Sequence, residues 1–289
     1  MTIRKILDLA RKKFAQAGLS GANWEAEILL SAVLGENKEY LLAHPEKKIS
    51  FWQYFLIKRM INQRLAGYSS AMLTGHKWFY GLDFIVDENV LIPRPETELM
   101  VEEALKIITN YKIQITNVID IGTGSGCIII SLAKKILNTA IKFYGVDISR
   151  AALRIAQKNS RRHGLENRIH FLYSDLLNNI DKNIFNFPLL IAANLPYLAK
   201  KQIKDSPSIQ KEPEIALLSG NDGLDHYRRL FDQVNELSGL AENHSVILAE
   251  IDESQNAAMG NLIRKYLPGA KFELKKDLAG HDRLVIIKL

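Results

Sequence analysis

The sequence predicts an α/β protein: a mostly parallel sheet of seven strands, preceded by a small helical module and a β-hairpin. Two observations carry this. From Val118 onward, apolar runs of strand length alternate with helical patterns, the signature of a βαβ series. Ahead of Met72 the apolar residues recur at helical spacing instead. The length agrees, because 289 residues at about 150 per domain leave room for two domains. With 47% hydrophobic and 24% charged residues the composition is that of an ordinary globular protein, which excludes disorder and collagen-like repeats. No apolar run approaches the ~20 residues that cross a bilayer. The single cysteine, Cys127, excludes an internal disulfide framework and a cysteine-based zinc cage, and fits a reducing, cytosolic (cytoplasmic) setting.

The elements follow in order. Ile3, Ile6, Leu7, Ala10 and Phe14 form the buried stripe of a first helix, so the basic start (Arg4, Lys5, Arg11, Lys12, Lys13) is read as helix surface rather than as a targeting peptide. Asn23 is the expected cap of a second helix, with Glu25 and Glu27 at its positive end and Gly35 as its stop. Ser50 and Gln53 make a capping box for another, whose Phe51, Trp52, Phe55, Met60, Ile61 and Leu65 are read as packing, with Gly67 as its stop. Short alternating runs from Met72 to Val90, broken at Gly75 and Gly81, predict a hairpin linker. The expected domains are therefore 1–71 (helical), 72–91 (hairpin linker) and 92–289. Pro93 and Pro95 stiffen the chain before a helix starting near Glu96. Strands are predicted at 118–121, 141–146, 169–173, 189–193, 246–251, 271–274 and 283–289. The last two, joined by a loop too short for a crossover helix, are expected to be antiparallel.

The net charge of +6 is unevenly spread, since residues 1–70 hold 11 basic and 6 acidic side chains. That surplus suits an acidic or nucleic-acid partner, and equally a solvated helical surface.

Asp120-Ile121-Gly122-Thr123-Gly124-Ser125-Gly126 lies between the first predicted strand of this series and the helix starting near Cys127. Glycines at such a turn let a ligand approach the main chain at the carboxyl edge of the sheet. Asp147 ends the next strand, where a carboxylate accepts hydrogen bonds from both hydroxyls of a ribose. An adenosine-type ligand follows. The spacing is shorter than the six-residue dinucleotide motif, and it resembles the S-adenosylmethionine site of Rossmann-like class I methyltransferases. Asp120 beside a cationic amino-acid moiety is then sensible, whereas it would repel a pyrophosphate. By that resemblance Ser174, Asp175 and Leu176, after the third strand of the series, lie near the adenine. Cys127 is read as a small buried residue rather than a nucleophile, and the seven histidines show no metal-ligand spacing.

Asn194-Leu195-Pro196-Tyr197 opens from the fourth strand into the same crevice. It resembles the Asn-Pro-Pro-Tyr motif of methyltransferases acting on planar nitrogen, either an adenine amine or a glutamine amide. The Asn194 side-chain oxygen and the Leu195 carbonyl would accept the two N–H groups, Pro196 would stiffen the turn, and Tyr197 would offer a flat face. Leu195 replaces the usual first proline, and Asn-Leu-Pro-Tyr also resembles ribosomal RNA adenine dimethylases.

Further segments carry a more specific likeness: Ile92-Pro93-Arg94-Pro95-Glu96-Thr97-Glu98, Glu212-Pro213 with Ala216-Leu217, Gly220-Asn221-Asp222-Gly223-Leu224, and Asp277-Leu278-Ala279-Gly280-His281-Asp282-Arg283. With the helical module in front, they resemble the HemK/PrmC glutamine methyltransferases along essentially the whole chain. The resemblance implies S-adenosylmethionine-dependent N5-methylation of the glutamine in the Gly-Gly-Gln loop of class 1 peptide chain release factors, with S-adenosylhomocysteine as product. It implies that the helical domain recognises the protein substrate. Arg94, Glu96 and Thr97 would line the approach between domains, or equally Arg94 and Glu96 would only tie linker to catalytic domain. The competing expectation is an adenine-amine methyltransferase acting on RNA or DNA, against which stands the lack of a dense basic tract. A non-enzymatic binding module is the third.

Overall fold

The computed structural model describes residues 1–289 except 110–113, 179, 182–183, 185–186, 205–208 and 238–243. The chain divides into two compact units, one holding Met1–His76 and a few residues ending at Lys211, the other holding the rest. Among the described residues no helix is long and apolar enough to cross a membrane.

The amino-terminal unit is built from α1 (Ile3–Gln16), α2 (Ala22–Leu34), α3 (Lys38–Ala43), α4 (Phe51–Leu65) and α5 (Ser70–Thr74). The α1 stripe is buried as expected and packs with Leu29, Leu30, Leu41, Ile57 and Ile61. Helix α2 starts one residue before Asn23, because Gly21, at φ 70°, takes the cap position in the left-handed region. Of the two acids assigned to its first turn, Glu25 lies there and Glu27 lies just beyond it, and both are held by side chains from other helices. Glu25 accepts from Arg64 Nε at 2.9 Å and from Ser70, while Glu27 meets Arg11 at 2.8 Å and Lys38 at 2.9 Å. The capping box of α4 forms as predicted.

Its aromatic stripe does not pack. Ile57, Met60 and Ile61 face the core, and Phe51, Trp52 and Phe55 stand 72%, 76% and 57% exposed. Apolar residues surround this helix, so the 3.6-residue period leaves both faces eligible, and the neighbours choose between them. Helix α5, capped by Ser69 and ended by Gly75 at φ 75°, crosses the position where the strand-like pattern was expected to begin.

The second unit carries a hairpin, β1 (His76–Phe79, its first residue counted with the first unit) and β2 (Leu82–Ile85), and then α6 (Glu98–Ile108), β3 (Asn117–Ile121), α7 (Cys127–Lys135), β4 (Lys142–Asp147), α8 (Arg150–Arg162), β5 (Ile169–Tyr173), β6 (Leu189–Ala193), α9 (Lys200–Lys204), α10 (Asp225–Asn235), β7 (Val246–Glu250), α11 (Asn256–Tyr266), β8 (Lys271–Lys276) and β9 (Asp282–Lys288). The hairpin, expected as a linker, is stitched into this unit. Phe79 and Phe84 join its core, and the buried Asn159 side chain on α8 accepts from Ile85 N at 2.7 Å and donates to Ile85 O and Ser125 O.

The seven-stranded sheet runs β5-β4-β3-β6-β7-β9-β8, parallel except for β9, which is antiparallel to both neighbours. Strands β3, β6 and β7 are buried along their whole length, which is why they lack a polar face and why their polar residues, Asn117 and Asp120 in β3 and Glu250 in β7, are buried too. Alternate residues feed two cores, one under α10 and α11 around Ile119, Ile191 and Phe231, the other under α6 and α7 around Val118, Leu190 and Ile129. The order reverses between β3 and β6, so a crevice opens at their carboxyl ends. Ile121 pairs with Ala193 in register, which sets the glycine loop and the Asn194 turn side by side.

Candidate active site

The loop after β3 is held from below. Gly122 N and Thr123 N both donate to Val146 O, at 2.8 and 2.9 Å. Gly122, Gly124 and Gly126 adopt φ of 72°, 54° and 81°, values that L side chains rarely take. Gly126 is also closed sterically, since a Cβ there would lie 2.8 Å from Ile130 Cδ1. Asp120 does not line the cleft as expected. It is fully buried under the loop, where Thr123 Oγ1 donates to it at 2.6 Å and its Oδ1 has no partner. Burial pushes its carboxyl up to about 7 against the opposing Thr123 bond. The same burial drives the Cys127 thiol up to about 12, leaving it inert.

The crevice is a cavity of about 230 Å³ lined by Gly122, Thr123, Gly124, Ser125, Asp147, Asp175, Leu176, Asn194, Leu195, Pro196 and Arg94 among others. Asp147, at the end of β4, accepts from Gly124 N at 2.9 Å and Ser149 N at 2.8 Å. Burial raises its pKa and these backbone donors oppose the rise. Each carboxylate oxygen retains a lone pair for a further donor. Leu176, at φ 55°, and Ile148 supply apolar wall. Asp175 is ion-paired with Arg229, a residue on α10 that no local pattern marked. His226, also on α10, lines the cavity and bonds Ser219 Oγ at 2.8 Å; burial, then Arg229, lowers its pKa.

Around the Asn194 turn, several segments singled out in the sequence converge. Asn194 Nδ2 donates to Thr97 Oγ1 at 3.1 Å, and Asn194 Oδ1 is buried with no partner. Leu195 packs on the loop, and a Cβ on Gly122 would meet its Cδ2 at 3.3 Å. Tyr197 does not line the cavity; its hydroxyl donates to Glu250 Oε1 at 3.4 Å, and burial, then Glu250, raises its pKa. Gln255 Nε2 bridges Tyr197 O and Asp222 O, and Gly223, φ 75°, passes so close that a Cβ would lie 2.1 Å from Tyr197 O. Arg94 pairs with the buried Glu212 at 2.5 Å, and Arg283 with Asp277 at 3.4 Å. Glu250, 2% exposed at the end of β7, escaped sequence reasoning because it lies inside an apolar run with no motif around it. Among the described residues no group of three His, Cys, Asp or Glu side chains is placed to hold a metal.

The chain is a Rossmann-like methyltransferase in fold and in sequence. Residues 114–216 match the methyltransferase domain family. The solved hMettl16 catalytic domain in complex with the MAT2A 3'UTR hairpin 1 shares the fold at a TM-score of 0.58, with 13% identity, covering 85% of this chain and 83% of that one. Residues 5–75 match the PrmC N-terminal domain. The release factor glutamine methyltransferase of Moorella thermoacetica is 34% identical over 98% of this chain and 97% of its own length, and that of Bacillus anthracis 33% over 91% of each. The chain belongs to the release factor glutamine methyltransferase family. A bifunctional methyltransferase of Rickettsia bellii is 30% identical over 100% of this chain, which spans 55% of that protein.

Proposed function

We propose that this protein uses S-adenosylmethionine to methylate N5 of the glutamine in the Gly-Gly-Gln motif of class 1 peptide chain release factors. The observation that carries the reading is the Asn194 side chain, tethered at Nδ2 and offering a buried, unpartnered Oδ1 at the mouth of β6. A buried acceptor without a partner is costly, and an amide N–H satisfies it.

The cavity suits the cofactor. Asp147 would take the ribose hydroxyls, Leu176 and Ile148 would flank the adenine, with Asp175 at its edge, and the Gly122–Gly126 main chain would accept close approach of the rest. When bound, S-adenosylmethionine supplies an electrophilic methyl group on a sulfonium centre. The chain's own task is to orient the glutamine nitrogen, whose lone pair is delocalised into its carbonyl. Asn194 Oδ1 and the Leu195 carbonyl would accept its two N–H bonds, stabilising positive charge as it develops on nitrogen. The nitrogen becomes acidic as its new bond to carbon forms, and it sheds one proton without a strong base. Pro196 would fix the turn, Arg94 would stand at the rim, and Tyr197 would support the turn from behind.

The helical unit would hold the protein substrate. The exposed side of α4 combines Phe51, Trp52 and Phe55 with the cations Lys58 and Arg59, a surface of aromatic anchors and positive charge suited to an acidic partner.

The test is mass spectrometry of an unmethylated release factor incubated with the protein and S-adenosylmethionine, with total RNA in parallel. One methyl group on the Gly-Gly-Gln glutamine is expected, with Asn194→Ala lowering the rate about 10²–10³-fold, as for removal of a hydrogen-bonding group that stabilises transition-state charge. Methyl transfer to RNA alone would overturn the substrate assignment.

A further inference from the structure

Helix α8 concentrates a charge that the rest of its unit balances. Beyond residue 70 the chain carries 27 basic and 26 acidic side chains. The 13 residues of α8 hold five of these cations and no acid. Successive residues of a helix turn by about 100°, so Arg150, Arg154, Lys158 and Arg161 fall within about 80° of one another around the axis. All four are exposed, while Ala152, Ile155, Ala156 and Asn159 on the other side are buried. The fifth cation, Arg162, lies beside this row and pairs with Asp83 at 2.5 Å. Among the described residues the four in the row make no ion pair.

The fold gains nothing from the row. Like charges four residues apart on a helix repel, and Arg150 stands in the first turn, at the positive end of the dipole, where an acid is the favoured residue. A row kept against local stability has its use in an anion outside the chain. Its spacing indicates which kind. Four residues advance about 6 Å along the axis, close to the separation of neighbouring phosphates in the compact C3′-endo backbone of RNA and shorter than in the more extended backbone of DNA. An acidic protein surface carries no fixed repeat. At the Arg150 end the guanidinium lies over the Tyr173 ring, 4.0 Å from its centroid, and Tyr173 is 46% exposed on the edge strand β5. An exposed ring topped by a planar cation is a platform on which a base stacks.

We propose that the outer face of α8 is a docking site for single-stranded RNA, held through its phosphates without regard to sequence. Arg150, Arg154, Lys158 and Arg161 form the phosphate row, and Arg150 with Tyr173 forms the stacking platform. In the sequence these cations make no dense tract, because Ala, Leu, Ile and Gln separate them; the helix aligns them. The face belongs to the β4–β5 end of the sheet, whereas the acceptor turn follows β6 beyond β3. RNA held there is a bound partner and not the methyl acceptor.

The experiment is fluorescence anisotropy of a labelled single-stranded RNA of about 12 nucleotides, titrated with the full chain between about 50 and 200 mM salt. Saturable binding is expected, with log affinity falling against log salt at a slope of about −3, as four phosphate contacts on a single strand give. DNA of the same sequence should bind more weakly. Arg154→Gln/Lys158→Gln should halve the slope and weaken binding about tenfold at the lowest salt, whereas Lys58→Gln/Arg59→Gln on α4 should leave it unchanged. Tyr173→Ala should weaken binding about tenfold with the slope kept. The α8 double variant should retain calorimetric affinity for S-adenosylhomocysteine and a Tm equal to or above that of wild type. Absence of saturable RNA binding, an unchanged slope in that variant, or a lowered Tm there overturns the proposal. A raised KM for the release factor with RNA binding intact overturns it too, and assigns the row to an acidic protein surface.

Discussion

The two units both bury carboxylates, and three of those in the catalytic unit are treated in the opposite way from those of the amino-terminal unit. In the amino-terminal unit Glu25 and Glu27 would be raised by burial, but Arg64 and Ser70 on one and Lys38 and Arg11 on the other outweigh it and hold both below the usual glutamate range. In the catalytic unit Asp120, Asp147 and Glu250 are met by hydroxyls and backbone N–H groups, and burial wins. Charge is used as a fastener in the first unit. In the second, Asp120, Asp147 and Glu250 stand without a counter-ion, whereas the buried Glu212 is fastened to Arg94 much as in the first unit; the acids left unneutralised are where charge has chemical use and where stability is given up for it.

The contrast can be broken most forcefully at Arg64. Arg64→Ala leaves Glu25 partly buried without its main cation, and a loss of about 3 kcal/mol is expected. Urea unfolding would measure it, and the double variant Glu25→Ala/Arg64→Ala should recover part. If the single variant costs nothing, the fastener description fails.

The next effect is a pH dependence of opposite sign between Glu25 and Glu27 on one side and Glu250 on the other. Glu25 and Glu27 have depressed native pKa values, so their contribution is present above their unfolded value and lost as pH falls through the native one. Glu250 is raised, from 4.5 to about 7, so its native state is favoured below 4.5 and stability drains away as pH rises through 7. Glu250→Gln should therefore be more stable than wild type at pH 8, by up to about 3 kcal/mol or several degrees in Tm, and no different near pH 4. Hydrogen exchange read separately for each unit would show mild alkali weakening the second, and acid weakening both, because Asp222, Glu273 and Asp277 of the second are also held below the usual carboxylate range.

The smallest effect sharpens the comparison at the surface. The pair Trp52→Ala and Phe55→Ala removes side chains that are already solvated, so stability should stay within about 0.5 kcal/mol. Affinity for the release factor, measured by titration calorimetry, should fall about tenfold. Unchanged affinity would remove α4 as a docking face.

Local chemistry made much of this legible in the sequence. The seven strands, the α1 stripe, the α4 capping box and the glycine loop each depend on residues near one another in the chain, and each formed as read. The glycine loop and the Asn194 turn were expected in one crevice, and strand pairing brings them there. What escaped depends on partners far apart in sequence: Asn159 stapling the hairpin to the loop, Arg229 pairing Asp175, Glu212 meeting Arg94, and Glu250 accepting from Tyr197. The α4 aromatics misled for a related reason, because apolar side chains on every side of a helix carry no directional signal. Asn23 lost the cap to Gly21 because a left-handed backbone costs glycine nothing, and that choice is made by the turn rather than by the capping side chain.

The exposed aromatics have an optical consequence. The three tryptophans of the chain are Trp24, Trp52 and Trp78, and they stand 59%, 76% and 69% exposed. All precede residue 79, and the remainder of the chain, cleft included, has none. Intrinsic fluorescence of the unlabelled protein is thus a private channel for the helical module and the first hairpin strand. A ligand entering the cleft would leave it nearly silent, while a protein partner covering α4 would shift it to shorter wavelength, so the two binding events are told apart by colour alone.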